Sequence, residues 1–344
     1  MSRCTPPALL RGRRRWLSLV LTALITLVAA SPHAQERRWV VAFANLSEEL
    51  GVTLEATGFT GRDVRESMRL AARGLPVDLV FYDNGRDGRQ ALANVEDAIA
   101  RKVDLYVQYQ RDPAINATAA ERLEAAGIRA LAINYPLPGA PLYTADNAAA
   151  GRIAGEALGL FAAKSWRGQP TVAVVIGPLT AQAERVPERA QGVTDGLRRT
   201  LPAARVTSLD TKGNPAQVAP LLGRVIAAGP TAKILVAALD DTTALAAKSA
   251  LEAAGRTPDA AIVGHGADRS MHGGLNDRKE IDPNNRGSIV LGSVAFYLDR
   301  YGYEVLPLVM RMLRGENVAA RTVTPHRLIS AANVWLEYPP SDMN

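Results

Sequence analysis

Apolar positions in this chain gather into short runs of four to seven residues, with polar or helical stretches between them. Nine such runs read as strands: Trp39–Ala44, Val77–Tyr82, Leu105–Gln108, Ala130–Ile133, Val172–Ile176, Val206–Leu209, Ile234–Leu239, Ala261–Gly264 and Ser288–Val294. Helical spacing falls between them. Val64, Met68 and Ala71 form one stripe that Gly74 stops, and Leu92, Val95 and Ile99 form another. Asp240-Asp241-Thr242 can cap a helix that runs through Leu245 and Leu251 to Gly255. Strand and helix in strict alternation predict parallel sheets with helices on both faces. Nine strands exceed what one compact sheet needs, so the economical arrangement is two similar α/β lobes.

Length agrees, since 344 residues suffice for two domains that each bury a core. The excess of 40 Lys+Arg over 34 Asp+Glu points toward nucleic acid until its location is examined. Arg3, Arg11, Arg13, Arg14 and Arg15 precede an uncharged stretch from Trp16 to Ala30, followed by the small residues Ser31 and Ala34. That order matches a secretory signal peptide over residues 1–34, and the stretch is too short for a comfortable membrane span. Without it, 35 bases face 34 acids, and a phosphate-binding role loses its electrostatic motive. The expected location is the periplasm. General secretion is the expected route, and Arg13-Arg14-Arg15-Trp16-Leu17 keeps a twin-arginine route open. Cys4 leaves with the leader, so the mature chain has no thiol for a disulfide, a nucleophile or a metal.

Ligands of such sheets bind beyond the carboxyl ends of the strands. Those ends carry Asn45 and Glu48, Asp83 and Asn84, Gln108 to Asp112, Asn134 and Tyr135, then Asp240, His265 and Asp268. Amides, carboxylates and aromatic rings suit a neutral polyhydroxylated ligand, while loop exposure alone explains the same polarity equally well. Catalytic motifs are missing: no G-x-S-x-G elbow, no phosphate-binding G-x-x-x-x-G-K-[ST] loop and no H-E-x-x-H. His265, His272 and Asp268 are better read as loop residues than as metal ligands. In Asp240-Asp241, adjacent side chains diverge, so one carboxylate is expected to cap the helix and the other to face a cleft. The sequence therefore predicts no enzyme, no cofactor and no metal site.

Four blocks carry a family resemblance. Tyr143-Thr144-Ala145-Asp146-Asn147 and the helix through Gly151 and Gly155 resemble the D-N-x-x-x-G-x-x-x-G block of type I periplasmic sugar-binding proteins. Glu188-Arg189-Ala190-Gln191-Gly192-Val193 resembles their R-x-x-G-F segment, Leu239 to Leu245 their N-D-x-x-A-L-G block, and Ala261 to Gly266 their V-V-G-F-D block. The resemblance covers essentially the whole mature chain. It implies two Rossmann-like lobes with a three-segment hinge, residues 36–145 plus 297–322 and residues 146–296 plus 323–344. It also implies a sugar held between the lobes by Asn134, Tyr135, Arg189 and Asp240. Gly266 stands where the family has an aspartate, with His265 or Asp268 as substitutes, and Phe296 stands where a glutamine closes the site. With Asn45, Glu48 and Gln108 from the strand ends, these form the expected ligand-binding set. The implied protein is a monomeric solute-binding protein without nucleic-acid contacts that serves an ABC permease. A membrane sensor is the alternative partner, and an exported hydrolase using Asp240 and His265 is a more distant reading.

Overall fold

The computed structural model describes Met1 and residues 37–181, 185–273, 280–285 and 287–339. Except for Met1, the expected leader lies outside the described residues. All nine expected strands are present within a residue or two of their sequence limits. The first six-stranded sheet contains β1 (Trp39–Asn45), β2 (Val77–Asp83), β3 (Leu105–Gln108), β4 (Arg129–Ile133), β5 (Leu142–Thr144) and β11 (Arg321–Val323). The second contains β6 (Thr171–Gly177), β7 (Arg205–Asp210), β8 (Lys233–Ala238), β9 (Ala260–Gly266), β10 (Val290–Ala295) and β12 (Leu328–Ile329). Their orders, β11-β5-β4-β3-β1-β2 and β12-β10-β9-β8-β6-β7, are the same order repeated. Every ladder is parallel except β10 with β12. Two α/β lobes of the type I periplasmic binding protein fold result.

Helices fill the connections, and their starts follow from local chemistry. In α1 (Gly61–Ala71) the Asp63 carboxylate accepts from the Thr60 N–H at 2.8 Å. Asp112 caps α3 (Pro113–Ala125), Asp146 caps α4 (Asn147–Ser165) and Asp240 caps α7 (Asp241–Ala253), each accepting from a first-turn amide. The remaining long helices are α2 (Gly88–Ala100), α5 (Val186–Thr200), α6 (Val218–Ala228) and α9 (Tyr301–Leu313). Short α8 (Arg269–His272) follows β9, and α10 (Val334–Glu337) follows β12.

Close packing of α4 on α5 explains the glycine spacing of the first two blocks. A Cβ on Gly151 would lie 2.0 Å from the Arg189 carbonyl oxygen, and one on Gly192 would lie 2.2 Å from that of Ala148. Gly155 and Gly196 face backbone in the same way one turn further along. Only hydrogen fits there, so the two backbones touch and Arg189 is fixed from below.

The core is continuous between the sheets. Val41, Phe43, Val107 and Ile133 of the first join Ala173, Val175, Leu235 and Val263 of the second in one buried cluster, with Tyr301 and Leu306 of α9. Satellite clusters lie under α2 and α3 and under α6 and α7. Each fully buried aliphatic or aromatic side chain contributes on the order of 1.5–3 kcal/mol relative to exposure.

Candidate functional site

Carboxyl ends of both sheets converge on Arg189. This side chain is fully buried and leaves the first turn of α5. Its Nε and one terminal nitrogen donate to Asn147 Oδ1 at 3.0 and 2.9 Å. The terminal nitrogens also donate to the carbonyls of Glu55 at 2.8 Å, Ala56 at 3.2 Å and Leu239. The Phe296 ring faces the guanidinium, with its centre 4.2 Å from the guanidinium carbon. The five contacts match the five N–H donors of arginine, so the cation is solvated entirely by the chain. Burying a charge costs heavily unless it is hydrogen-bonded, and here it is.

Asp240 feels the Arg189 charge, and Asp241 and Asp268 follow close by in the same lobe. Asp240 accepts from the Thr243 amide and hydroxyl, both at 2.7 Å, and burial raises its pKa although those bonds and Arg189 oppose the shift. Asp241 does not face a cleft, contrary to the sequence expectation. It turns into the interior, where Ser293 Oγ donates at 2.5 Å and the Asp268 amide at 2.9 Å. Complete burial, with Asp268 close by, pushes its pKa well above the usual carboxylate range. Asp268 caps α8 by accepting from the Ser270 amide at 2.8 Å and hydroxyl at 2.6 Å.

Two histidines are neutral. His265 donates from Nδ1 to the Ala238 carbonyl at 2.7 Å, and burial with the nearby Arg189 charge pulls its pKa down to about 3. His326 donates from Nδ1 to the Ala295 carbonyl at 2.8 Å and accepts at Nε2 from the Asp146 amide at 3.0 Å. Burial lowers its pKa to about 4. The chain passes between the sheets three times: after β5, after β10 and after β11. His326, on the third passage, therefore ties together the first at Asp146 and the second at Ala295. Its ring also meets Phe296, 4.7 Å between centres.

The first lobe contributes an inserted hairpin. Between β1 and α1, Leu54 donates its amide to the Phe59 carbonyl at 2.8 Å, and Thr57 donates its amide back to Leu54 at 3.0 Å. Glu55 and Ala56 form the tip, with φ of 55° and 47°. Two successive positive-φ residues define a type I′ turn, which favours glycine or asparagine; in Glu and Ala each costs on the order of 1 kcal/mol. Tyr109 donates its hydroxyl to the Glu55 carboxylate at 2.7 Å. Asn134, itself at φ 58°, donates to Tyr109 Oη at 3.1 Å and to Tyr301 Oη at 3.3 Å, and accepts from the Ala145 amide at 3.1 Å. Tyr135 stacks on Tyr109 with centres 6.2 Å apart.

Of the residues expected from sequence, Arg189, Asp240, Asp268, His265 and Phe296 gather in the second lobe, and Asn134 with Tyr135 joins the first lobe's tyrosine network. Others lie apart. Asn45 holds the start of α1 by donating to the Gly61 carbonyl at 2.7 Å. Glu48 pairs with Arg65 at 2.8 Å. Gln108 shares a face of β3 with Tyr106 and donates to Asn116 of α3 at 3.3 Å, which turns it under that helix. Sequence reasoning missed Glu55, Ala56 and His326, whose roles depend on long-range contacts, and it named Tyr109 only within a strand-end run and Asn147 only within a family block. A surface cavity of about 440 Å³, lined by Leu123, Ile128, Leu137, Pro141 and Met312, lies near the start of β4, at the opposite strand ends.

This chain belongs to the periplasmic binding protein family: residues 50–317 match the periplasmic binding protein domain. That is a family of solute-binding proteins, not of enzymes. Among solved structures, a solute-binding protein of an ABC transporter from Bacillus halodurans, with bound myo-inositol, superposes with a TM-score of 0.63 at 20% identity, covering 88% of this chain and 98% of that one. One from Actinobacillus succinogenes, with bound D-allose, gives 0.63 at 14% identity, covering 86% and 99%. The fructose-binding periplasmic domain of a hybrid two-component system gives 0.61 at 18% identity, covering 87% and 93%. A search of curated protein sequences finds no match.

Proposed function

We propose that this chain is an exported solute-binding protein that captures a small polyhydroxylated ligand, such as a monosaccharide, between its lobes and delivers it to an ABC importer. The observation that carries this reading is the buried Arg189, placed where the strand ends of both sheets meet and already bonded to carbonyls from the opposite lobe. Where a ligand replaces the Glu55 and Ala56 carbonyls, the guanidinium can hold its vicinal oxygens in a bidentate pair, with Asp240 and Asp268 accepting hydroxyl protons and Phe296 offering a ring face. The ligand-bound structures similar in fold hold myo-inositol and D-allose, both polyols of this kind.

Residues 1–34 act as a cleaved leader in this reading. Residues 36–145 with 297–322, and 146–296 with 323–344, move as two bodies about the passages that His326 joins. Closure on ligand creates the surface that the importer reads, a two-state switch driven by differential affinity. A relative in a two-component system makes a sensor partner the second reading. The test is a thermal-shift screen of the mature protein against sugars and polyols. A ligand at 100 times its Kd should stabilise it by about 2.7 kcal/mol. No shift with any polyol at tens of millimolar would overturn the proposal.

A further inference from the structure

The Leu54–Phe59 hairpin packs directly on Arg189, the side chain proposed above to hold solute. Its Glu55 and Ala56 carbonyls take guanidinium donors at 2.8 and 3.2 Å. Two glycines make the fit. A Cβ on Gly58 would lie 1.9 Å from Asp268 Oδ2, and one on Gly266 would lie 2.9 Å from Asp241 Oδ2 and 3.5 Å from Thr57 Cβ. The hairpin thus sits against the second lobe at both its tip and its descending strand, while the Tyr109 hydroxyl holds Glu55 from the first lobe.

We infer that this hairpin is a tethered occupant of the interlobe site, an autoinhibitory contact that solute must displace. The inference rests on the reading of that site as the solute site. A segment tethered to the same chain has an effective concentration in the millimolar range, so solute competes against it and the apparent affinity falls by the fraction of molecules with the hairpin undocked. The left-handed backbone at Glu55 and Ala56 favours release, since it relaxes once the tip leaves Arg189. Selectivity follows: a ligand must offer Arg189 at least two acceptors in place of the two carbonyls.

Two substitutions act in opposite directions. Gly58→Val drives a side chain into Asp268, which cannot swing away without losing its cap of α8. Ala56→Gly relaxes the turn and docks the hairpin more firmly. Hydrogen–deuterium exchange of segment 53–60, small-angle scattering and calorimetric titration with D-allose and myo-inositol measure the outcome. Gly58→Val should exchange at least tenfold faster in that segment, enlarge the radius of gyration and bind whichever probe binds at least tenfold more tightly; Ala56→Gly should do the reverse. Unchanged exchange and radius in both variants would overturn the inference, whatever the titrations show. Should Gly58→Val fail to fold, Ala56→Gly carries the test: slower exchange supports docking, and unchanged exchange overturns it. Faster exchange in Gly58→Val with neither probe bound would establish the docked contact and overturn the competition with these polyols. A failed screen with normal exchange changes would count against the ligand class alone.

Discussion

The two lobes repeat one strand order, yet their first connections differ sharply. After β1 the first lobe spends residues 46–60 on a hairpin that reaches across to the other lobe. In the second lobe only eight residues of sequence separate β6 from α5, and 182–184 among them lie outside the described residues. Topologically equivalent connections thus provide opposite chemistry: carbonyl acceptors from the first, and the entry to the helix that carries the Arg189 donors from the second. Shared architecture positions the two, and loop length decides which lobe reaches. The helices that follow differ as well. Four glycines let α5 touch α4 backbone to backbone, whereas in the first lobe Gly302 provides the close approach of α9 to Ser67 of α1.

Removing the donor side breaks the comparison most. Arg189→Ala strands Asn147 Oδ1 and three buried carbonyls, so ligand-free stability should fall by roughly 3–5 kcal/mol in urea denaturation. A ligand-free loss below about 1 kcal/mol would show that the lobes are not joined through it. Next comes the helix contact: Gly192→Val forces a methyl-bearing carbon against the Ala148 carbonyl and should cost about 2–3 kcal/mol. Unchanged stability there would mean that α4 and α5 are less close than described.

His326 gives a smaller, pH-dependent effect. Its folded pKa of about 4 lies below the unfolded value near 6.5. Its stabilisation is therefore complete above about pH 6.5 and is lost as pH falls toward 4, because the unfolded chain binds the proton first. The raised carboxylates of Asp240, Asp241 and Asp299 act in the opposite sense, gaining stability as pH falls, so the effect must be isolated by difference. Between pH 7 and 4 the wild type should lose up to about 2–3 kcal/mol more than His326→Gln. Parallel pH profiles would remove His326 as the tie between passages. Smallest of all, Arg86→Ala breaks an exposed 2.9 Å pair with Glu49 on the outer stem of the first connection and should change stability by under about 0.5 kcal/mol. A larger loss would mean that the stem, and not only the tip, anchors the hairpin.

The sequence made the sheets legible because their central strands, such as β1, β6, β8 and β9, are buried on both faces and read as near-continuous apolar runs. Leu142–Thr144, Arg321–Val323 and the two-residue β12 escaped that signal, being short and close to the sheet edges, and the first two partly polar. Block resemblance singled out Arg189 and Asp240 as candidates, with Pro187 marking the helix start. Gln108 was misplaced for a reason that strand alternation contains, since it must share Tyr106's face. The hairpin gave no such clue. Leu54-Glu55-Ala56-Thr57 lacks the glycine or asparagine that announces a type I′ turn, and long-range contacts with Arg189 and Tyr109 help to hold it.

The apolar cluster that runs unbroken from one sheet to the other has a thermodynamic consequence. Neither lobe can melt without exposing part of the other's interior and releasing the carbonyls from Arg189. Cooperativity then spans the chain from Trp39 onward: heating should give one calorimetric peak whose enthalpy equals the van't Hoff value, although the strand orders describe two bodies. Two separable peaks would mean that each lobe is its own folding unit. A single one means that the protein trades independent lobes for a shared melting point, and that a destabilising change in either lobe is felt at the far end of the other.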